Sequence, residues 1–381
     1  MMDTIEITTI RNDEELEQVY ELWERVFPEV KGFFKERLEL DGDYDRKTTW
    51  IAKVNGEIAA SVQLFPYHFY YGDAILKVGG IGNVATLPEF RGRGLTQTIL
   101  KRQTEWMEAN DYDLSLLSTD IHSFYEKVGW HMIPYRNYTL ENVPELIDNN
   151  TYTIEDFSES DLQDVARLYD AFIKRTVGAR IRTATYWENQ LNKTYEKQPQ
   201  FLVARYKQKI VAYLRYHYSN QTLVLEECCY DASHETAALA LVKEAIARNA
   251  DYQNIRMSFA HNHVLTSYFQ EWGAKVSDVD ANMWKIINLP TLIGKLKLEF
   301  AKTIPEEKIS ILLQCGQTDF LLDKHGDILD IKKPTESFSY NLRIKCSEVE
   351  LTRAILHGPE GGQLEKIFPD VAYQFWSTDS F

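Results

Sequence analysis

The chain has 381 residues, 44% hydrophobic and 13% aromatic; it is too long for one ordinary core and too apolar for disorder, so two or three packed domains are expected. Its 42 Lys and Arg against 57 Asp and Glu leave a net charge of −15, which argues against a broad phosphate-backbone surface and so against nucleic acid as a partner. Met1 to Arg11 carries no basic, apolar leader, no run reaches the ~18 apolar residues of a membrane span, and Cys228, Cys229, Cys315 and Cys346 form no C-x-x-C pair; a reducing cytoplasm, no membrane span and no metal are the expectations.

Asn12 followed by Glu15 is a helix-start signal, and Leu16, Val19, Tyr20, Trp23, Val26 and Phe27 recur at helical spacing until Pro28. Trp50 to Val54, the turn pair Asn55-Gly56, and Ile58 to Phe65 predict a β-hairpin. A largely apolar stretch, Ile75 to Leu87, then leads into Arg91-Gly92-Arg93-Gly94, after which Leu95, Ile99, Leu100, Gln103, Trp106 and Met107 mark a helix face. Leu114 to Leu117 reads as a strand and Ser123 to Val128 as a short helix that Gly129 ends, so a first unit closes near residue 150.

The same text returns. Leu162, Val165, Leu168, Tyr169 and Phe172 stand 146 positions after Leu16, Val19, Leu22, Trp23 and Val26. Ala204 to Ala212 follows Ala52 to Ala60 at an offset of 152, and Ser267 to Gly273 follows Ser123 to Gly129 at an offset of 144. Three ordered echoes predict tandem homologous folds, 1–150 and 151–286. From 287 to 381 the pattern changes to Ile309 to Leu313, Asp319 to Leu322, Asp327 to Ile331 and Tyr340 to Ile344, with helical pieces at Val349 to Leu356 and Gly361 to Asp370: a third, α+β domain. The end, Phe375 to Phe381, is aromatic enough to be docked rather than free.

The chemistry concentrates on the glycine-arginine loop. Glycines let backbone N–H groups turn inward, a helix N-terminus adds partial positive charge, and arginines add donors, which together suit a diphosphate. The loop fits R-x-x-G-x-G/A as Arg91-x-x-Gly94-x-Thr96, between the strand Asn83-Val84-Ala85-Thr86 and the following helix, with Thr96 the departure from a small residue. On these residues the first unit resembles the GNAT superfamily of acyl-CoA N-acyltransferases. The resemblance implies that acetyl-CoA is the cosubstrate, that Val84, Ala85 and Thr86 meet its pantetheine arm, and that Arg91, Gly92, Arg93, Gly94, Leu95, Thr96 and Gln97 hold its diphosphate.

Phe124-Tyr125-Glu126-Lys127-Val128-Gly129-Trp130 is similar to that superfamily's F-Y-x-x-x-G-F stretch, which implies Tyr125 as the proton donor to the leaving thiolate. The second unit has Phe269 at the tyrosine position and no R-x-x-G between Cys229 and Ala240, so it is expected to have lost the chemistry. Tandem GNAT units before a third α+β domain resemble the enhanced intracellular survival family of acetyltransferases. That likeness implies a mixed α/β chain ending in a sterol-carrier-protein-like domain, the carboxylate of Phe381 as base, a homo-oligomer such as a hexamer, and a small cationic amine, a polyamine or aminoglycoside-like molecule, as acceptor. Trp23, Glu24, Glu36, Glu39 and Asp41 to Asp45 are its candidate contacts. Two other functions fit the organisation: a peptidoglycan-type aminoacyltransferase, which the negative charge disfavours for want of a tRNA surface, and a non-catalytic acyl-CoA or lipid carrier.

Overall fold

The computed structural model describes residues 3–30, 32–42, 44–141, 143–144, 151–193, 198–335 and 338–380. The N–H of Glu15 donates to the Asn12 side chain at 2.9 Å, and this cap starts α1 (Asp13–Val26) after the edge strand β1 (Ile5–Thr9). After α2 (Phe33–Glu39) come β2 (Thr49–Val54) and β3 (Glu57–Tyr71), turned by Asn55 and Gly56, both at positive φ as the predicted hairpin requires. The unit continues through β4 (Ala74–Thr86), α3 (Leu95–Ala109), β5 (Leu114–Ser118), α4 (His122–Glu126), β6 (His131–Met132) and β7 (Tyr135–Leu140).

The second unit repeats this order: β8 (Thr153–Asp156), α5 (Leu162–Ile173), α6 (Ala184–Leu191), β9 (Gln200–Tyr206), β10 (Lys209–Ser219), β11 (Thr222–Tyr230), α7 (Thr236–Arg248), β12 (Asn254–Met257), α8 (Val264–Glu271), β13 (Lys275–Val279) and β14 (Asn282–Ile286). The third comprises α9 (Leu289–Lys295), α10 (Lys297–Thr303), β15 (Lys308–Cys315), β16 (Thr318–His325), β17 (Ile328–Lys332), β18 (Leu342–Cys346) and α11 (Glu348–His357). The helix expected over Gly361 to Asp370 is only a short turn at Gln363–Lys366, because Gly361 and Gly362 both take positive φ and Pro369 follows.

Among the described residues the first sheet runs β1-β2-β3-β4-β5-β14-β6 and the second, from its far edge, β8-β9-β10-β11-β12-β7-β13. The two orders are the same, with one strand traded. β7 leaves β6 after two residues and pairs antiparallel with β12 and β13, while β14 returns to pair with β5 and β6. The expected division at 150 follows the repeat in the chain but not the sheets, since each sheet is completed by a strand of the other unit.

Helices cover both faces of the first sheet. Val19, Leu22, Trp23 and Leu38 of α1 and α2 pack on Ile51, Ile58, Phe65 and Ala85, whereas Leu95, Ile99 and Leu100 of α3 pack on the opposite-facing Ala52, Ala60, Val62 and Leu64. The strand period of two sorts these side chains. Further along β3, Tyr67, Phe69 and Tyr71 share a core with Leu292, Leu296 and Phe300, which seats the third unit on the first sheet. Lys295 of α9 reinforces this seat by an ion pair with the fully buried Asp113 at 2.6 Å. No helix among the described residues is long and apolar enough to cross a membrane.

Candidate active site

A fork in the first sheet defines the site. β4 pairs with β3 as far as Ala60↔Thr86, but with parallel β5 only from Val78↔Leu114 to Ile81↔Leu117. Beyond Ile81 the two strands part. Asn83 sits at the parting with φ of +48°, and the β3–β4 register shifts beside it between Ser61 and Gln63. Its Nδ2 is fully enclosed and lacks a partner among the described residues. An enclosed amide donor without an acceptor is costly, and a carbonyl lying in the fork would satisfy it.

Strand alternation decides which backbone groups face the opening. The N–H of Leu87 donates to Ala59 O on the β3 side, whereas Thr86 O accepts from Arg91 Nε on the other. Val84 and Thr86 therefore turn their N–H and C=O toward the fork, and Ala85 is paired with Ser61 of β3. Of the three strand residues expected to meet pantetheine through the backbone, two are so oriented.

The loop at the fork's end places its glycines at φ of +77° (Gly92) and +72° (Gly94), the latter capping α3. A Cβ on either would meet no atom within 4 Å, so glycine is required there for backbone conformation and not for room. The first N–H groups of α3 have no helical acceptor and point out of its N-terminus toward that open space. Arg91 and Arg93 are exposed, and Arg93 is held by Asp3 at 2.7 Å and lies over the Phe90 ring. Gln97 of the first turn is half-buried. Thr96 resolves its departure from the motif: its hydroxyl is 2.6 Å from that of Thr86, so the side chain ties helix to strand.

Tyr125 lies in one apolar cluster with Ile81 and Leu117, the last paired residues before the fork, and Val84 packs against that cluster. The Phe124 ring stands edge-on to that of Tyr125, which is buried. Burial pushes this phenol up to about 12, so it stays protonated throughout the physiological range.

The second unit has the same fork and has closed it. β11 and β12 pair only from Thr222↔Asn254 to Leu225↔Met257, and Glu226 and Glu227 occupy the places of Gly82 and Asn83. Of the outward carbonyls beyond, Cys228 O bonds His263 Nε2 at 3.0 Å and Tyr230 O accepts from Arg175 at 3.1 Å. The chain's own tail fills the rest. Gln374 Oε1 accepts from Ala260 N at 2.8 Å on one arm, and Ser377 donates to Glu226 on the other. Phe269, in the tyrosine position, is fully buried.

A buried ion network pins that tail. Arg182 binds Glu227 through both terminal nitrogens (2.9 and 2.7 Å) and Asp379 at 2.9 Å, and Tyr186 donates to Asp379 at 2.9 Å. Burial pushes the Glu227 carboxyl up, but the Arg182 and Arg215 guanidinium groups outweigh it and hold it below the usual carboxylate range. Ser380 borders two cavities. One, of about 770 Å³, lies where the three units meet and is lined by Ser118, Asn282, Tyr135, Arg256 and Tyr373 among others. The other is a slot of about 30 Å³ between Arg37, Leu40, Asp41 and Phe65 of the first unit and Arg180, Tyr186 and Asn189 of the second. Phe381 and Asp43 lie outside the described residues.

The acceptor contacts drawn from the family resemblance fare unevenly. Trp23 is a core residue whose Nε1 donates to Ser61, Glu39 is exposed beside Lys35, and Asp45 caps the Lys47 N–H; Asp41 lines the narrow slot. Sequence reasoning did not single out Asn83, Arg182, Glu227 or Asp379. The offset of 144 between the repeats sets Glu227 where Asn83 stands, but nothing in the sequence marks either residue as part of a site.

An open fork beside a glycine-capped helix, over a buried tyrosine, is the arrangement that the resemblance to acyl-CoA N-acyltransferases implies. Residues 7–133 match the family model of the GNAT acetyltransferase domain. Solved structures share the fold of the whole chain. A probable N-acyltransferase from Enterococcus faecalis is 17% identical at a TM-score of 0.75, over 98% of this chain and 100% of that one. A GCN5-related N-acetyltransferase from Kribbella flavida is 14% identical at 0.68, over 100% and 99%. Eis1 from Mycobacterium abscessus is 11% identical at 0.67, over 99% and 100%. No curated protein is similar enough in sequence to match.

Proposed function

We propose that the first unit transfers an acetyl group from acetyl-CoA to a primary amine by direct attack in a ternary complex. The observation that carries this reading is the contrast between the forks: one open, with an orphan donor at Asn83, and one plugged by protein. Acetyl-CoA brings the acetyl group already activated as a thioester. Val84 and Thr86 would pair with its pantetheine amides, the Gly92 to Gln97 turn with Arg91 and Arg93 would hold its diphosphate, and donors at the fork would polarise the thioester carbonyl.

Tyr125 is the acid toward sulfur. A phenol near 12 facing a thiolate of roughly 8.5 does not surrender its proton completely, so it stabilises the departing sulfur chiefly as a strong hydrogen-bond donor. The base reading, the carboxylate of Phe381, is supported by the docked tail and by Ser380 reaching the slot beside Asp41 and Phe65. At ~3.5 that carboxylate is weak against an ammonium of ~10, so a water relay or a neutral amine population is part of the reading.

A polyamine or aminoglycoside-like acceptor rests on the family resemblance, as do a sterol-carrier-protein-like third unit, supported by the sheet β17-β16-β15-β18 with its helices, and a hexamer, which light scattering on the intact chain decides. The test of function is thiol release from acetyl-CoA with a panel of polyamines, aminoglycosides and peptide amines. Tyr125→Phe and a chain lacking Phe381 should each lose about 10²-fold or more in kcat with acetyl-CoA KM within about threefold. Unchanged release in both variants contradicts the assignment of acid and base, and coenzyme A binding without release for any amine favours the carrier.

A further inference from the structure

We propose that the cavity of about 770 Å³ where the units meet is a binding site for a small molecule bearing a carboxylate or phosphate group, and that this molecule is the acceptor amine. The second half rests on the acetyltransfer reading above, and it departs from the polycation that the family resemblance implies.

The two sheets wall the cavity with matching corners. Ser118 pairs with Asn282 in the first sheet, and Ser258 donates to Asn137 at 3.3 Å just past Met257↔Tyr138, the last pair of β12 and β7, in the second. All four residues line the space, and its volume falls within the roughly 300–1,000 Å³ of small-molecule pockets. Phe259 and Val279 add apolar wall. Ser118 directly follows Leu117, the last β5 residue paired with β4, so the cavity borders the β5 arm of the first fork.

Charge decides what such a space holds. Its acids are engaged: Glu226 accepts from Ser377, Glu360 meets Arg353 at 3.4 Å, and Asp370 lies 3.6 Å from His261. Arg136 on β7 and Arg256 on β12 also line it; both are exposed, and their guanidinium groups make no hydrogen bond or ion pair with a described residue, so the unanswered charge is positive. The ring of His357, at the end of α11, stands 4.6 Å from that of Tyr373, and its Nε2 is fully enclosed without a partner among the described residues. Burial first, then the charges of Arg353, Arg136 and His261, push this ring down to about 4, so it is neutral and can offer that nitrogen as an N–H donor. An oxyanion would take the orphan donor, offset the positive charges around it and meet the planar fork of an arginine, whose geometry suits carboxylate and phosphate. The amine at the molecule's other end would then face the first fork. There the N–C bond forms, the C–S bond breaks, the amine nitrogen loses one proton and the thiolate takes one, while the anionic group stays unchanged.

The test follows thiol release by the full-length chain with short ω-aminoalkanoates and aminoethyl phosphate, against alkylamines of matched length and spermidine. The best anionic acceptor should exceed its matched alkylamine about 10-fold or more in kcat/KM. Arg136→Ala and Arg256→Ala, at exposed side chains outside the core, should each raise its KM about 10-fold while the alkylamine and acetyl-CoA KM values stay within about twofold. His357→Leu should act likewise, and His357→Gln, which keeps a donor, should not. Spermidine or an alkylamine as the best acceptor, or arginine variants that weaken every amine alike, overturns the acceptor assignment. Calorimetric titration separates the sources of the anion: aminopentanoate binding that both arginine variants weaken supports the site, whereas inorganic phosphate or acetate bound there as tightly shows a free-ion site and overturns the acceptor half. No binding by any of them overturns the site. If wild type releases no thiol with any amine, the acetyltransfer reading fails while calorimetry still decides the cavity.

Discussion

His263 illustrates what a single residue contributes once its surroundings are known. It caps α8 by accepting the Leu265 N–H at Nδ1, and its other nitrogen meets Cys228 O, so both ring positions are used while the ring is fully buried. Burial, more than the nearby Arg175, brings its pKa down to about 4. The folded value lies below the unfolded value of ~6.5, so its contribution is complete above ~6.5 and is lost as pH falls toward 4, by about 3 kcal/mol. Urea unfolding followed from pH 7 to 4 should show this loss, and His263→Asn should flatten it; an equal slope in the variant contradicts the assignment. Residue-scale legibility followed chemistry that sits in contiguous text. Arg91 to Gly94 and Tyr125 could be singled out as candidates because glycine, arginine and an F-Y-x-x-x-G stretch are local, whereas Asn83 could not, because it stands out only by a positive φ and an amide without a partner among the described residues.

At the scale of elements, the fork and the α3 terminus act together. Gly94 holds φ of +72° with open space where its Cβ would be, so Gly94→Val strains the backbone by ~1–3 kcal/mol and places methyls where a diphosphate would lie. Acetyl-CoA KM should rise about 10-fold or more with kcat little changed, by initial-rate kinetics. An unchanged KM removes the loop from cosubstrate binding. Helices and hairpins were legible from periodicity and from turns such as Asn55-Gly56. The exchange of β7 and β14 was not, because Tyr135–Leu140 and Asn282–Ile286 state their strand character but not their partners, and homologous repeats offer each strand two equivalent places.

For the whole molecule, the repeated order of elements gives two forks and the chain uses them differently. The first keeps Gly82-Asn83 and a glycine-capped helix; the second carries Glu226-Glu227 and receives the tail that leaves the third unit. The repeated order of elements was legible from offsets of 144 to 152, and the docked tail from its aromatic residues. That the tail enters the second fork depends on Arg182 and Asp379, 197 positions apart, a pairing that no local pattern announces. The central claim is that the chain has one acyl-CoA site and that it lies in the first fork. Calorimetric titration of acetyl-CoA into the intact wild-type chain and Gly94→Val tests it most directly: the account predicts one site per chain, weakened about 10-fold or more by the substitution. Two sites per chain, or one that ignores Gly94→Val, would contradict it.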